Sequence, residues 1–103
     1  MGRVKVVLLL RTRVVYSEHS FAELVVRHLA RPAPGSAHRY KYQLAFVSGG
    51  ECVVRYDNKA EAGKGDHVHL RGREATYAFV SPERLIGDFQ REIERWSSED
   101  GDA

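Results

Sequence analysis

The fold of this chain is decided by its central stretch, Tyr40-Lys41-Tyr42-Gln43-Leu44-Ala45-Phe46-Val47. Apolar and polar residues alternate along it, which is the pattern of a strand with one buried face. Ser48-Gly49-Gly50-Glu51 follows as a tight turn, and the run from Cys52 to Asp57 returns as a second strand. The sequence therefore predicts an antiparallel hairpin in the middle of the molecule.

The residues before this hairpin predict further strands, with one ambiguity. The β-branched stretch from Arg3 to Tyr16 indicates one long or kinked strand, or two strands joined near Arg11. Residues 21–30 fit two structures. Ser20 and Glu23 could form a capping box that begins a helix, whereas the alternation of Ala22, Leu24, Val26 and His28 is typical of a strand.

The end of the chain predicts an amphipathic helix. Ser81 is a good N-cap and Pro82 suits the first helical position. A single apolar stripe follows, formed by Leu85, Ile86, Phe89, Ile93 and Trp96. Short strands are expected at 66–70 and 75–80. We therefore predict a two-layer α+β fold, in which an antiparallel sheet of about five strands packs against one C-terminal helix. Residues 1–103 are expected to form a single domain, with an acidic, flexible tail at 97–103.

Composition limits the class of protein. A chain of 103 residues can bury one hydrophobic core without disulfides or a metal ion. The apolar run from Val6 to Leu10 is too short to cross a membrane. Cys52 is the one cysteine, so no internal disulfide can form, and its apolar neighbours predict a packed thiol. We expect a cytoplasmic protein that does not contact a membrane.

The most unusual chemistry lies between Arg55 and Arg73. Arg55-Tyr56-Asp57-Asn58 and Gly63-Lys64-Gly65-Asp66-His67-Val68-His69 concentrate carboxylates, histidines and cations there. His67 and His69 are two residues apart, so on a strand both rings project from one face about 7 Å apart. The cations of this region favour a polyanionic partner, although they also suit an ordinary solvated surface.

Three interpretations of this segment compete. In the first, His67 and His69 exchange protons during RNA cleavage, an acid orients one imidazole, and cations stabilise the developing charge. The orienting acid would be Asp57 or Asp66, and the cations would be Lys64, Arg71 and Lys41. In the second, the histidines and one of these acids bind a metal ion, with His38 as the only further histidine that fits. In the third, the residues are ordinary turn and surface residues.

The chain resembles the TumE family of toxins from bacterial toxin–antitoxin systems, over nearly its whole length from about Arg13 through the Ser81 helix. The resemblance rests on Arg39-Tyr40-Lys41-Tyr42, on the two motifs quoted above, and on Tyr77-Ala78-Phe79. It implies a small cytoplasmic toxin encoded beside a DNA-binding antitoxin, and it favours the strand for residues 21–30. The family pattern falls on Lys41, Tyr42, Asp57, Asn58, Gly63, Lys64, Gly65, Asp66, His67 and His69.

The chain departs from that family pattern in two places. Val68 stands where the family usually has an arginine, which we expect to weaken substrate binding without abolishing the chemistry. The loop at residues 59–62 is slightly longer than usual, which affects where Lys64 lies.

The sequence thus predicts a toxin of a type II system that acts as a metal-independent endoribonuclease, uses no cofactor and leaves 2′,3′-cyclic phosphate ends. The predicted catalytic residues are His67, His69, Asp57, Asp66 and Lys64. The predicted RNA-binding residues are Lys41, Arg39, Tyr42, Arg55, Asn58, Arg71 and Arg73. The expected partners are RNA and an antitoxin. The antitoxin would cover the basic face, an exposed sheet edge, or both, and a homodimer is also allowed. The alternatives are a non-catalytic RNA- or protein-binding module and a metal-dependent phosphodiesterase.

Overall fold

The computed structural model describes residues 6–32, 36–58 and 65–99. Within these residues, six strands form one antiparallel sheet in chain order, and a single helix follows them. The elements are β1 (Val6–Ser17), β2 (Ser20–Leu29), β3 (Tyr40–Ser48), β4 (Glu51–Asp57), β5 (His67–Leu70), β6 (Arg73–Thr76) and α1 (Pro82–Glu99). The predicted α+β class is confirmed, with one strand more than the five expected.

The central hairpin has the predicted form. β3 and β4 pair in antiparallel fashion, and Leu44 lies opposite Tyr56. Gly49 and Gly50 turn the chain with φ angles of 60° and 83°, which glycine adopts without steric cost. The alternation seen in the sequence places Tyr42, Leu44 and Phe46 in the interior, each no more than 3% exposed.

Residues 20–29 form a strand, so the resemblance to the TumE family pointed to the correct alternative. Packing decides this element, because Ala22, Leu24 and Val26 are buried opposite Phe46, Leu44 and Tyr42 of β3. A helix would bury a different set of residues and leave β3 without this neighbour. The preceding strand β1 is long and irregular, with a shift of register between Leu8 and Leu10, as expected for a kinked strand.

The β5–β6 hairpin differs from the prediction. A strand was expected at residues 75–80, but β6 is Arg73–Thr76, and the segment 77–80 that follows is not part of the sheet. Arg71 and Gly72 form the turn, with φ angles of 52° and 83°. Because that turn is so tight, pairing with β5 begins at Arg73, opposite Leu70, and ends at Thr76.

Helix α1 covers one face of the sheet, as its apolar stripe predicts. It begins as expected, since the Oγ of Ser81 accepts a hydrogen bond of 3.1 Å from the backbone N–H of Arg84. Leu85, Phe89 and Ile93 are buried in the core, and Phe89 meets Tyr56 edge to face. The helix extends to Glu99, so residues 97–99, which were assigned to a flexible tail, are helical. In the part of the chain that the structure describes, no helix is both long and apolar enough to cross a membrane.

Cys52 corrects a further expectation. It was predicted to be a packed thiol, but it lies in an exposed position near the start of β4. Its Sγ is 3.6 Å from the carbonyl oxygen of Val54. Local burial raises the pKa of the thiol by more than the nearby charge of Arg55 lowers it, so the net effect does not activate the thiol as a nucleophile.

Candidate functional site

The candidate site lies on the face of the sheet that is turned away from α1, which we call the open face. Side chains alternate between the two faces of a strand, and the core residues Val54, Tyr56 and Val68 face the helix. Their neighbours Arg55, Asp57, His67 and His69 therefore share the open face. The register brings them together, because Asp57 pairs with His67 and Arg55 with His69.

The two histidines lie side by side, as the spacing predicts. Their ring centroids are 5.3 Å apart and the rings meet edge to face. Their exposure differs, since the side chain of His67 is 10% exposed and that of His69 is 30% exposed. His69 is therefore the more accessible of the two to a molecule bound on the open face.

Asp57 is the acid that orients His67. Its Oδ1 lies 2.8 Å from Nε2 of His67, and the Nδ1 of the same ring is 3.0 Å from the carbonyl oxygen of Gly65. Both nitrogens thus face oxygen acceptors, which fixes the plane of the ring. Nε of Arg55 lies 3.1 Å from Oδ2 of Asp57, forming an ion pair without the geometry of a hydrogen bond.

Sequence reasoning missed Glu74, which completes the site from β6. Its Oε2 lies 3.5 Å from Nε2 of His69 and 3.8 Å from Nε2 of His67. Glu74 is the cross-strand partner of His69, so its position depends on the turn at Arg71 and Gly72. His67, His69 and Glu74 form a group whose ligand atoms all lie within 4.8 Å of one another. A shallow cavity of about 300 Å³ opens beside His67 and Glu74 and is also lined by Ala75 and Thr76.

Asp66 lies in a different place from the one the sequence suggested. It contacts His38 and Tyr42, with Oδ2 2.7 Å from Nε2 of His38 and 2.6 Å from the hydroxyl of Tyr42. His38 in turn stacks on Phe79 with ring centroids 4.0 Å apart. Asp66 lies just before β5, and its partner Tyr42 belongs to the core on the side of the sheet opposite His67. Asp66 therefore orients His38 and not the histidine pair.

Tyr42 and Asn58, two of the predicted RNA-binding residues, are interior scaffold. Tyr42 is 3% exposed and Asn58 is 2% exposed. Burial, and then the hydrogen bond to Asp66, raise the pKa of the Tyr42 hydroxyl, which therefore stays protonated as a donor. The side chain of Asn58 accepts from the N–H of Tyr42 and donates to the carbonyl of Tyr40, continuing the β3 ladder past the end of β4. A molecule on the surface does not reach either side chain in this conformation.

The predicted cations are divided between two regions. Lys41 and Arg55 belong to the open face with the histidines, and Arg39 is exposed just before β3. Arg71 and Arg73 lie beside the end of α1, where Arg71 pairs with Glu99 at 3.3 Å. The structure does not bring these two arginines to the histidine pair. Lys64 is outside the described residues.

Three further cations lie on the open face and were not identified from the sequence. They are Arg11, Arg13 and Arg27, placed there by the pairing of β1 with β2 and of β2 with β3. One row of cross-strand partners crosses the whole sheet to the site, in the order Arg13, Glu23, Ala45, Arg55, His69 and Glu74. Side-chain alternation predicts that these arginines share this face, but only once residues 20–29 have been assigned as a strand.

The fold and site define a small two-layer α+β protein with an oriented histidine pair on the cation-bearing face of its sheet, which is turned away from the helix. The chain belongs to the TumE family, because the family model described as Toxin TumE matches residues 4–97. It is therefore a toxin of a toxin–antitoxin system, a class that has a cognate antitoxin as partner. A search of curated proteins and a search of solved structures each found no match.

Proposed function

We propose that this toxin is an endoribonuclease that cleaves RNA through the 2′-hydroxyl, with His67 and His69 as its proton-transfer groups. The observation that carries the proposal is the pair of imidazoles 5.3 Å apart on one face, each with a carboxylate beside Nε2. This type of cleavage needs a base at the 2′-oxygen and an acid at the leaving 5′-oxygen. Two adjacent imidazoles supply both without a metal ion, because histidine gives and takes protons near neutral pH.

The surrounding residues have separate roles in this proposal. Gly65 holds the His67 ring through Nδ1, so Nε2 is the nitrogen that exchanges the proton, and Asp57 stabilises its protonated form. Glu74 does the same for the protonated form of His69. Arg55 and Lys41 on the open face stabilise the charge that develops on the phosphate. The products are a 2′,3′-cyclic phosphate and a 5′-hydroxyl, because the 2′-oxygen is the nucleophile.

Purified protein incubated with RNA tests this proposal, with the cleavage ends mapped in the presence and absence of a chelator. His67→Ala and His69→Ala are expected to lower cleavage and to relieve growth arrest, while each protein remains folded. His19→Ala is the matched control, since its side chain lies in a turn and is 82% exposed. Retained toxicity in both site variants, without new RNA ends, would favour non-catalytic binding by the same face instead.

The antitoxin is proposed to pair a strand of its own with β1, the edge strand of the sheet. Seven of the eight large hydrophobic side chains that are exposed among the described residues belong to this strand: Val6, Val7, Leu8, Leu9, Val14, Val15 and Tyr16. In the described part of the chain, only β2 pairs with β1. Its outer edge thus offers backbone groups beside apolar side chains, which is the arrangement that β-strand addition uses.

Charge favours an acidic partner strand over a second copy of this chain. In the two symmetric registers that pair most of β1 with its own copy, Arg11 lies opposite Arg11 or Arg13, and like charges in that position destabilise a ladder. An antitoxin strand with acids opposite Arg11 and Arg13 avoids this repulsion. The remainder of the antitoxin is proposed to bind operator DNA. Light scattering on the isolated toxin tests whether two copies pair through β1, and the mass of a monomer is expected.

A further inference from the structure

We propose that His67, His69 and Glu74 also form a binding site for one divalent transition metal ion of the Zn²⁺ class, and that the ion inhibits the toxin by occupying its histidine pair. The binding site itself depends only on the geometry. The inhibition rests on the proposed ribonuclease function.

The distances between the ligand atoms are close to those of a zinc site. In tetrahedral coordination with metal–nitrogen and metal–oxygen distances near 2.1 Å, neighbouring ligand atoms lie about 3.4 Å apart. Oε2 of Glu74 is 3.5 Å from Nε2 of His69 and 3.8 Å from Nε2 of His67, and no pair of atoms in the group is farther apart than 4.8 Å. Small side-chain rotations are therefore enough to bring all three atoms around one ion.

The backbone contact of His67 prepares the correct nitrogen for a metal ion. Its Nδ1 lies 3.0 Å from the carbonyl oxygen of Gly65, an acceptor that requires a proton on that nitrogen. Nε2, the atom that faces Glu74 and Asp57, is therefore the nitrogen that gives up its proton and offers its lone pair to a metal ion. Metal-binding histidines commonly donate their other ring N–H to a backbone carbonyl in this manner.

Negative charge at the site is supplied by two carboxylates, and Arg55 offsets part of that of Asp57. Two carboxylates, Asp57 and Glu74, approach the same Nε2 of His67, at 2.8 Å and 3.8 Å. A metal ion bound between the imidazoles and Glu74 replaces the proton of the contact between His67 and Asp57. The carboxylate oxygen of Asp57 then lies next to the ion as a fourth ligand atom, and the cavity of about 300 Å³ leaves room for a water ligand.

The proposed ligands lie on two paired strands of the sheet. His67 and His69 belong to β5, and Glu74 is the direct cross-strand partner of His69 in β6. Imidazole nitrogens and one carboxylate suit Zn²⁺, Co²⁺ or Ni²⁺ better than Mg²⁺ or Ca²⁺, which prefer oxygen ligands alone. An occupied site holds both Nε2 lone pairs, so neither ring can carry a proton to or from RNA.

Calorimetric titration of the full-length, chelator-treated protein with Zn²⁺ tests the binding site. One ion per chain is expected, and His69→Ala and Glu74→Gln should each weaken binding by at least tenfold. Both side chains are partly exposed, so these variants are expected to fold, which circular dichroism verifies. His19→Ala is the control and should bind as the unaltered protein does. Absence of saturable binding, or an affinity in both site variants equal to that of the unaltered protein, would overturn the site.

Titration with Co²⁺ adds a spectroscopic measurement that does not depend on activity. A four-coordinate site with nitrogen ligands gives visible absorption bands, which should disappear in His69→Ala. The absence of these bands in the unaltered protein would contradict the proposed coordination.

A cleavage assay then separates the site from the proposed function. Inhibition by one equivalent of Zn²⁺, reversed by a chelator, is the expected result. If cleavage requires Zn²⁺, the site stands and the inhibitory role is wrong. If zinc binds to the three residues but RNA is never cleaved, the site again stands and the ribonuclease proposal fails.

Discussion

Asp57 and His67 are cross-strand partners whose side chains meet, with Oδ1 of the acid 2.8 Å from Nε2 of the ring. The carbonyl of Gly65 holds the opposite nitrogen of the same ring. Two contacts therefore fix the orientation of His67. Asp57 contributes its side chain, whereas Gly65 contributes a backbone carbonyl. This makes Asp57 the residue through which the proposed chemistry can be tested without removing an imidazole.

Asp57→Asn is expected to lower RNA cleavage by roughly 100-fold or more, within the range that general acid–base catalysis contributes. The amide has nearly the same shape, but it carries no charge to stabilise a protonated His67. Cleavage rates and thermal unfolding should be measured on the same preparation. Glu23→Gln is the matched control, because Glu23 lies on the same face and its ion pair with Arg13 is exposed. Unchanged cleavage by Asp57→Asn would mean that His67 needs no orienting acid.

Asp66→Asn is expected to affect the stability of the fold and not the chemistry. The substitution weakens the hydrogen bonds to His38 and Tyr42, and a bond to a charged group contributes about 1.5–3 kcal/mol. The free energy of unfolding in urea should fall by about that amount, while cleavage per folded molecule stays the same. A loss of cleavage at full stability would place Asp66 in the site after all.

The sequence predicted the elements that local pattern controls. The β3–β4 hairpin has strong alternation and two glycines, and α1 has a cap, a first-turn proline and a continuous stripe. Residues 20–29 were ambiguous because their capping box and their strand alternation are both real signals, and only the burial of Ala22, Leu24 and Val26 against β3 separates them. Local sequence contains no information about that packing.

The sequence predicted the part of the candidate site that lies on a single strand. It did not predict the part that depends on the register between two strands. The spacing of His67 and His69 placed both rings on one face, and the structure agrees. Glu74 could not be assigned, because its position depends on where the turn at Arg71 and Gly72 begins. The role of Asp66 could have been assigned from alternation alone, since a residue next to His67 in a strand faces the other way.

Acid stability should depend on Asp88, in the first half of α1. Burial opposes the charge of this carboxylate, but hydrogen bonds from Tyr77 and Arg84 and the charges of Arg84 and Arg91 outweigh it and lower its pKa below the ordinary value of 3.8. The folded state thus binds this proton less readily than the unfolded state. The carboxylate stabilises the fold above pH 3.8, and that stabilisation is lost as the pH falls through the lowered pKa.

Asp88→Asn is therefore expected to cost about 1–2 kcal/mol at pH 7, and the difference from the unaltered protein should shrink as the pH falls below about 4. Urea unfolding at pH 7, 5 and 3 measures this dependence. Glu94→Gln is the control, because this exposed acid also lies in the helix but outside its first turn. A difference that stays constant with pH would show that the amide disturbs the helix for another reason.

Arg11→Glu combined with Arg13→Glu is expected to weaken binding of the cognate antitoxin. Each reversal replaces an attractive cross-strand pair with a repulsive one, at about 1 kcal/mol apiece, so affinity should fall by about 30-fold. Calorimetry with both purified proteins measures antitoxin binding separately from toxicity. This separation is needed because the two arginines also lie on the open face, where RNA is proposed to bind. Arg31→Glu is the matched charge reversal, since Arg31 is exposed beyond the end of β2. If Arg31→Glu weakens binding equally, the antitoxin responds to overall charge and the β1 edge is not its specific partner.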